Sequence, residues 1–334
     1  RDLVRSRGLG DVYKRQISAK LTSDNGEKAS AGFDSFMSSL YGRDNEAALA
    51  DMPVAEDFIA VVPIEGTIQA SSDNSGIYGT GTGYNHNLLM GYINKLISNN
   101  SNKGIILRMN TPGGTVYEAD ELYLKLKEYK EKTNRPIWVY MESSCCSGGV
   151  YIASAADEQY ANRITTTGSI GVIISNYDMS GLYEKLGIRE DNIVSAQNKD
   201  MGTAGKAMTS EQRGIYQSIV DEYYEQFVNI VAEGRSMSVA DVKKLADGRI
   251  YTAKQAVENG LIDGIKGSEE FDAYVREKSG VDTFYEPKGT GGYLSALMGS
   301  VVSSKEKSEA EVLVDLMNQL GSGVPMYYAE PIGE

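Results

Sequence analysis

Ser147 stands where an apolar, strand-like run gives way to a run of small residues. The stretch from Met141 to Ala156 reads M-E-S-S-C-C-S-G-G-V-Y-I-A-S-A-A. It follows Pro136 to Met141, which has the pattern of a buried strand, and turns into a small-residue helix starting near Cys146 or Ser147. A serine at such a helix start lies beside backbone N–H groups that lack intrahelical partners, in a field that favours negative charge. Gly148 and Gly149 leave room for another backbone or a substrate to come close. That setting suits a nucleophile. It also suits an N-cap serine followed by tightly packed glycines, and the stretch alone favours this plainer reading.

A serine nucleophile needs a base to take its proton. The chain has a single histidine, His86, in G-Y-N-H-N after a glycine-rich loop. It reads as an exposed residue at a helix start, so the base is expected to be something else. Multi-histidine metal sites are excluded, and no metal or cofactor is expected. Lysine is the remaining side chain to consider. A solvated lysine is protonated at neutral pH, and burial lowers its pKa by disfavouring the charged form. The base should therefore sit at the end of a core strand. Lys199 fits, following the run Ile193 to Gln197, read here as a strand. Lys206 lies seven residues further on and reads as exposed. Position makes Lys199 a candidate and no more.

Acyl transfer also needs donors for the developing oxyanion. Pro112-Gly113-Gly114 offers backbone N–H groups in a turn, with a plain strand-to-helix turn as the bland alternative. Gly148 could supply a second donor. Ser169, in T-T-T-G-S-I-G, could hold a lysine amine by hydrogen bond. The glycine spacing around it is not that of a G-x-S-x-G elbow. Cys145 and Cys146 are adjacent, forming neither a C-x-x-C motif nor a disulfide framework, and Cys146 is a rival nucleophile.

The elements that must position these residues follow from periodicity. Phe58 to Ile64 and Gly104 to Met109 are strand-like. Leu88, Leu89, Tyr92, Ile93 and Leu96 form a helical stripe between them. Thr115-Val-Tyr-Glu118 is a capping-box pattern that opens a helix ending near Lys132. Strand and helix alternating at this spacing imply right-handed βαβ crossovers and a parallel sheet. Both glycine-bearing turns then fall at carboxyl ends of strands, where open α/β sheets bind ligands. Short strands are expected at Gln159 to Asn162, Thr165 to Ser169 and Ile170 to Ile174, and a helix near Met179 to Leu186. Thr209-Ser-Glu-Gln212 opens a long helix to Ala232, and Ser238 and Thr252 start shorter ones. The glycine-rich loop from Gln69 to Asn87 is neither a dinucleotide fingerprint nor a Walker A motif.

Composition bounds the rest. The chain has 334 residues, 41% hydrophobic and 24% charged, as in a soluble globular protein of one or two domains. A net charge of -13 argues against nucleic acid or an anionic membrane surface as the main partner. There is no run of about eighteen apolar residues. Residues 1–16 are basic and patternless and are read as a spurious or truncated end. A polar stalk or helical arm is expected at 17–54 and the main domain at 55–280. The tail, 281–334, carries one amphipathic helix at Glu309 to Leu320 and an extended stretch from Val324 to Glu330.

Five segments in order resemble the bacterial signal peptide peptidase A family: N-T-P-G-G at 110–114, S-C-C-S-G-G-V-Y-I-A at 144–153, T-T-G-S-I-G-V at 166–172, N-K-D-M-G at 198–202, and G-R-I-Y-T-A-K-Q-A with G-L-I-D across 248–263. The similarity covers roughly residues 55–280. It implies an α/β fold of the ClpP/crotonase type, a spiral of βαβ units with a parallel sheet and a helical C-terminal extension. It implies a serine peptidase with a Ser-Lys dyad, in which Ser147 matches the nucleophile and Lys199 the general base. Ser169 matches the serine that positions the lysine, and Gly114 the oxyanion-hole glycine. Gly148 as second donor is an inference from geometry. The resemblance also implies a ring-shaped homo-oligomer and an N-terminal membrane anchor missing from this chain, with the catalytic domain on the extracytoplasmic side of the cell membrane. Signal-peptide remnants and other unfolded apolar peptides are the substrates implied. Cysteines stand at 145 and 146 where the family commonly has small residues such as alanine. Two other readings of the residues stay open: a crotonase-type acyl-CoA enzyme, whose sites commonly use Glu or Asp for proton transfer, and a non-catalytic scaffold of the same fold.

Overall fold

The long β-branched and aromatic runs seen in the sequence form the centre of an eight-stranded sheet. A computed structural model of the chain describes residues 52–53, 55–70, 83–287 and 326–328, the last as backbone alone. Residues 1–51, the glycine-rich stretch at 71–82 and the amphipathic piece at 309–320 lie outside the described residues. The central strands are β1 (Phe58–Glu65), β2 (Asn102–Thr111) and β4 (Ile137–Cys146), side by side and parallel. Helix α1 (His86–Ser98) connects β1 to β2, and α2 (Val116–Thr133) connects β2 to β4 through the short strand β3 (Gly113–Thr115). These are the expected βαβ units. Their common hand places both helices on one face.

The other face is covered by α8 (Ser268–Ser279). Ile59, Ile106, Trp138 and Tyr140 from three adjacent strands pack there against Phe271 and Val275. Tyr140 and Phe271 stack with ring centroids 5.0 Å apart. With both faces covered, β1 is buried along nearly its whole length, so its sequence is a continuous apolar run instead of an alternating one.

Strand β4 sets up the site, because it has different neighbours along its length. Its first half, Trp138 to Met141, pairs with β5 (Glu158–Ala161), and its second, Ser144 to Cys146, with β6 (Thr166–Gly168). On the β2 side the register shifts between Met109 and Thr111, so that Thr111 faces Cys145. The strand was expected to stop at Met141, and it runs five residues further. Beyond β6 lies β7 (Ile250–Thr252), the sheet's one antiparallel neighbour among the described residues. Strands β8 (Gly264–Ile265) and β9 (Phe284–Tyr285) extend β5 and β1.

The remaining helices are α3 (Gly148–Ala153), α4 (Ser180–Leu186), α5 (Ser210–Gly234), α6 (Val239–Leu245) and α7 (Ala253–Glu258). Thr209 and Thr252 form complete capping boxes with Gln212 and Gln255. The Thr115–Glu118 box does not form as expected. No side chain caps the backbone of α2, and the two side chains bond to each other instead. Ile170 to Ile174 and Asn192 to Gln197, both expected as strands, lack strand structure; the second is exposed throughout, and α4 buries no residue.

Candidate active site

Strand β4 ends at Cys146 and α3 begins at Gly148, so the whole change of direction falls on Ser147. Its backbone has φ 51° and ψ -112°, a left-handed conformation in a residue with a side chain. Such a residue costs about 1–3 kcal/mol and persists only where its surroundings fix it. Here its N–H donates to the Gly168 carbonyl at 2.8 Å, and its own carbonyl accepts the Tyr151 N–H at 3.0 Å. The next turn of α3 fits closely against β2: a Cβ on Gly149 would lie 2.8 Å from Thr111 Cγ2. Ser147 is buried, and its Oγ has no hydrogen-bond partner among the described residues. A buried hydroxyl normally finds a partner.

Ser169 lies at the end of the neighbouring strand. The parallel register pairs Cys146 with Gly168, so the two serines follow at adjacent strand ends. Ser169 is also buried, with φ 51°, and its N–H is held by the Arg249 carbonyl at 2.8 Å. It borders an open groove of about 380 Å³ shared with Val172, Ile173, Tyr224 and Asp247.

The Gly113-Gly114 turn is held as firmly. The Ile68 N–H donates to the Gly113 carbonyl at 2.8 Å, and the Thr115 N–H to the Ile68 carbonyl at 2.8 Å. The Gly113 N–H reaches Thr111 Oγ1 at 3.1 Å, and that hydroxyl donates to the Gly66 carbonyl at 2.6 Å. A Cβ on Gly114 would lie 1.9 Å from the Ile68 carbonyl oxygen, so this position accepts glycine alone. Successive N–H groups of an extended strand point to opposite edges. With Thr115 bonded to Ile68, the Gly114 N–H faces the other edge. There strand β10 (Met326–Tyr328) pairs antiparallel with β3, Tyr327 opposite Gly114. The turn therefore receives an extended peptide, and in this structure the peptide is the chain's own tail. The sequence showed the tail as extended without indicating where it binds.

The two cysteines are placed for packing. The Cys145 thiol lies 3.9 Å from Met109 Sδ, and the Cys146 thiol 3.6 Å from the Thr166 carbonyl. Burial pushes the Cys145 thiol well above its ordinary range and the Cys146 thiol also upward. The thiolate is the reactive form, so these shifts disfavour Cys146 as the attacking group.

Lys199 is not brought to Ser147. It sits in a turn, its N–H bonded to the Ala196 carbonyl at 3.0 Å, with its side chain exposed. It lines an open cavity of about 490 Å³ built from its own loop, including Asp191, Ile193, Asp200 and Thr203. The strand expected to bury it is absent. Lys206 is ion-paired with Asp200 at 2.6 Å. Ile173, Tyr177, Leu186, Ile188 and Ile193 on the segment leading to this loop are exposed, Ile193 fully.

His86 departs from expectation in the other direction. It begins α1 as predicted but is buried, with Tyr84 Oη 2.8 Å from its Nδ1. Burial lowers its pKa below 6.5, against the opposing pull of Glu118 and Glu121. Glu118, read only as half of a capping box, is buried and bonded to the Thr115 hydroxyl beside the Gly114 turn. Among the described residues no group of three or more His, Cys, Asp or Glu is placed to hold a metal ion, and no helix is long and apolar enough to cross a membrane.

A sequence profile of Peptidase family S49 matches residues 129–282, which include Ser147, Ser169 and Lys199. A protein of Enterococcus faecium described as a candidate signal peptide peptidase SppA is 38% identical over 254 residues, 73% of this chain and 74% of that protein. Protease 4 of Haemophilus influenzae is 32% identical over 215 residues, 64% of this chain and 33% of that protein. The chloroplastic serine protease SPPA of Arabidopsis thaliana is 30% identical over 180 residues, 54% of this chain and 26% of that protein. With its strained serine at a strand-to-helix turn inside the matched region, the chain belongs to Peptidase family S49 and is a serine peptidase of the ClpP/crotonase-like fold.

Proposed function

We propose that the chain is an endopeptidase working through a Ser-Lys dyad on unfolded, apolar peptides. The observation that carries this reading is the Ser147 hydroxyl, buried in a strained turn without a partner among the described residues. In the proposed reaction Ser147 Oγ attacks the scissile carbonyl carbon and its proton passes to the neutral amine of Lys199. The oxyanion of the tetrahedral intermediate is held by the N–H groups of Gly114 and Gly148. Gly148 is the first residue of α3, so the helix gives its N–H no partner. The lysine then protonates the departing amine and leaves an acyl-serine. Water, deprotonated by the same lysine, releases the acid and restores Ser147. Ser169, one strand over, orients the amine by hydrogen bond.

A lysine can act this way only if water is removed from its ammonium form. Lys199 is exposed in the single chain, on a segment whose apolar side chains are also uncovered. A second copy of the chain covering that segment would bury both. We therefore take the working form to be a homo-oligomer, ring-shaped as the family resemblance suggests, in which assembly completes the dyad. The antiparallel β10 on β3 supports the substrate class, since it has the extended form that an unfolded peptide would take there. The name of the Enterococcus faecium relative supports signal-peptide remnants as substrates. With them go a cell-membrane location, an N-terminal anchor and a catalytic domain on the extracytoplasmic side.

Cleavage of an unfolded apolar peptide by wild type, Ser147→Ala, Lys199→Ala and Cys146→Ala tests the reading. Ser147→Ala and Lys199→Ala should each lose on the order of 10⁴-fold in kcat, as for residues that act as a unit, and Cys146→Ala should keep most of its activity. Cleavage retained in Ser147→Ala and lost in Cys146→Ala would move the nucleophile by one residue; equal cleavage by all four would sink the dyad.

A further inference from the structure

Three helices of this chain each begin beside one functional part, and they meet at one polar junction. Helix α2 starts directly after the Gly113-Gly114 turn, α3 starts directly after Ser147, and α5 starts shortly after the Lys199 loop. One turn or so into the first two, the Tyr151 hydroxyl of α3 donates to Asp120 Oδ1 of α2 at 2.5 Å. From α5, Gln226 Nε2 donates to the Tyr151 oxygen at 2.6 Å and lies 3.1 Å from the same Asp120 oxygen. The Tyr151 ring is wholly buried between Tyr123 of α2 and Phe227 of α5, with centroids 5.5 Å and 5.2 Å away.

We propose that Tyr151 and Asp120 are positioning residues for the peptidase reaction: their hydrogen bond fixes the separation between the nucleophile and the oxyanion turn. This rests on the reading of Ser147 and Gly114 given above. The leverage is short at both ends. Tyr151 is four residues from Ser147, and its N–H already binds the Ser147 carbonyl. Asp120 is five residues beyond Thr115, whose N–H helps to hold the glycine turn. Packing of rings alone permits sliding along the helix axes, whereas a hydroxyl aimed at one carboxylate oxygen does not. The phenol's hydrogen-bonding capacity is used on both sides, as donor to Asp120 and acceptor from Gln226. Gln226 adds a tie to the helix that follows the Lys199 loop. Neither Tyr151 nor Asp120 touches the reacting atoms; both act through the elements that carry them.

The test uses the full chain and a peptide substrate, with Tyr151→Phe as the main variant, because it keeps the ring and removes the hydroxyl. The expected result is a loss in kcat of about tenfold, the scale of a small misplacement of reacting groups, with KM unchanged. Affinity for a peptide boronate, which forms a tetrahedral adduct on the nucleophile, should fall in parallel with kcat. A purely structural role would lower the melting temperature without linking kcat to boronate affinity. Asp120→Asn, which keeps an acceptor oxygen, should stay near wild type, and Asp120→Ala should match Tyr151→Phe. The double variant Tyr151→Phe/Asp120→Ala should be no worse than either single one. Wild-type kcat and boronate affinity in Tyr151→Phe would overturn the proposal, as would Asp120→Asn as impaired as Asp120→Ala, or losses that add in the double variant. Ser147→Ala is run alongside. If it remains active, the dyad reading fails. If it is silent while Tyr151→Phe is unaffected, the positioning proposal alone fails.

Discussion

The two ends of the proposed dyad are built to different standards. Around Ser147 every backbone group has a fixed place: the residue is buried, strained, and held by Gly168 on one side and α3 on the other. The Gly114 turn is held through Ile68 and Thr111. Lys199 lies on a loop tied to the start of α5, through Gln197 and Asn198 to Glu211 at 2.8 Å and 3.0 Å, and it is exposed among the described residues. The difference follows from the neighbours each has. Ser147 ends a central strand flanked by two others, so its geometry is settled by the core. Among the described residues no strand pairs with the Lys199 segment. On the proposed reading, such a peptidase keeps its nucleophile and oxyanion turn in place and leaves the base to be delivered.

The tail offers the largest way to sharpen this contrast. If the nucleophile half is ready to receive a strand, then β10 occupies a position that substrate needs. A chain ending at residue 323 should cleave a peptide several-fold faster at low substrate concentration, with kcat little changed, because only competition for the site is removed. Steady-state kinetics on the two forms checks this, and an unchanged KM would mean the tail and the substrate use different edges.

A smaller effect concerns the buried histidine at the start of α1. The folded chain disfavours the charged form of His86, chiefly through burial. The unfolded chain therefore binds that proton first as pH falls, and stability should drop as pH goes below about 6.5 and recover above it. Melting temperature against pH for wild type and His86→Gln tests the sign. The variant should show a flatter slope between pH 7 and 5, and identical slopes would remove His86 from the balance.

Much of the framework was legible because it is local. The alternation of apolar runs and helical stripes located β1, α1, β2, α2 and the start of β4, and put the functional turns at strand ends. Thr209 and Thr252 announced their helices through side chains three residues away. Lys199 was misplaced for an instructive reason. Ile193-Val194 has strand-forming residues, but β-propensity reflects packing against neighbours, and among the described residues no strand pairs with this stretch. Cys145 and Cys146 continued β4 past its expected end because β6 and the end of β2 were there to pair with them. His86 was taken as exposed, since nothing near it in sequence reveals that Tyr84 and Glu118 enclose it. The Asp120–Tyr151–Gln226 junction joins three helices far apart in the chain, and no spacing rule could have found it.

The proposed contrast between a settled Ser147 and an undelivered Lys199 is tested most directly by measuring mass and peptide cleavage on the same wild-type samples across a dilution series. Sedimentation gives the assembly state, and a fluorogenic unfolded peptide gives the rate per chain. Activity per chain should rise and fall with the assembled fraction, and single chains should be silent. Single chains that turn over as fast as the assembly would contradict the account, because Lys199 would then reach Ser147 without a partner.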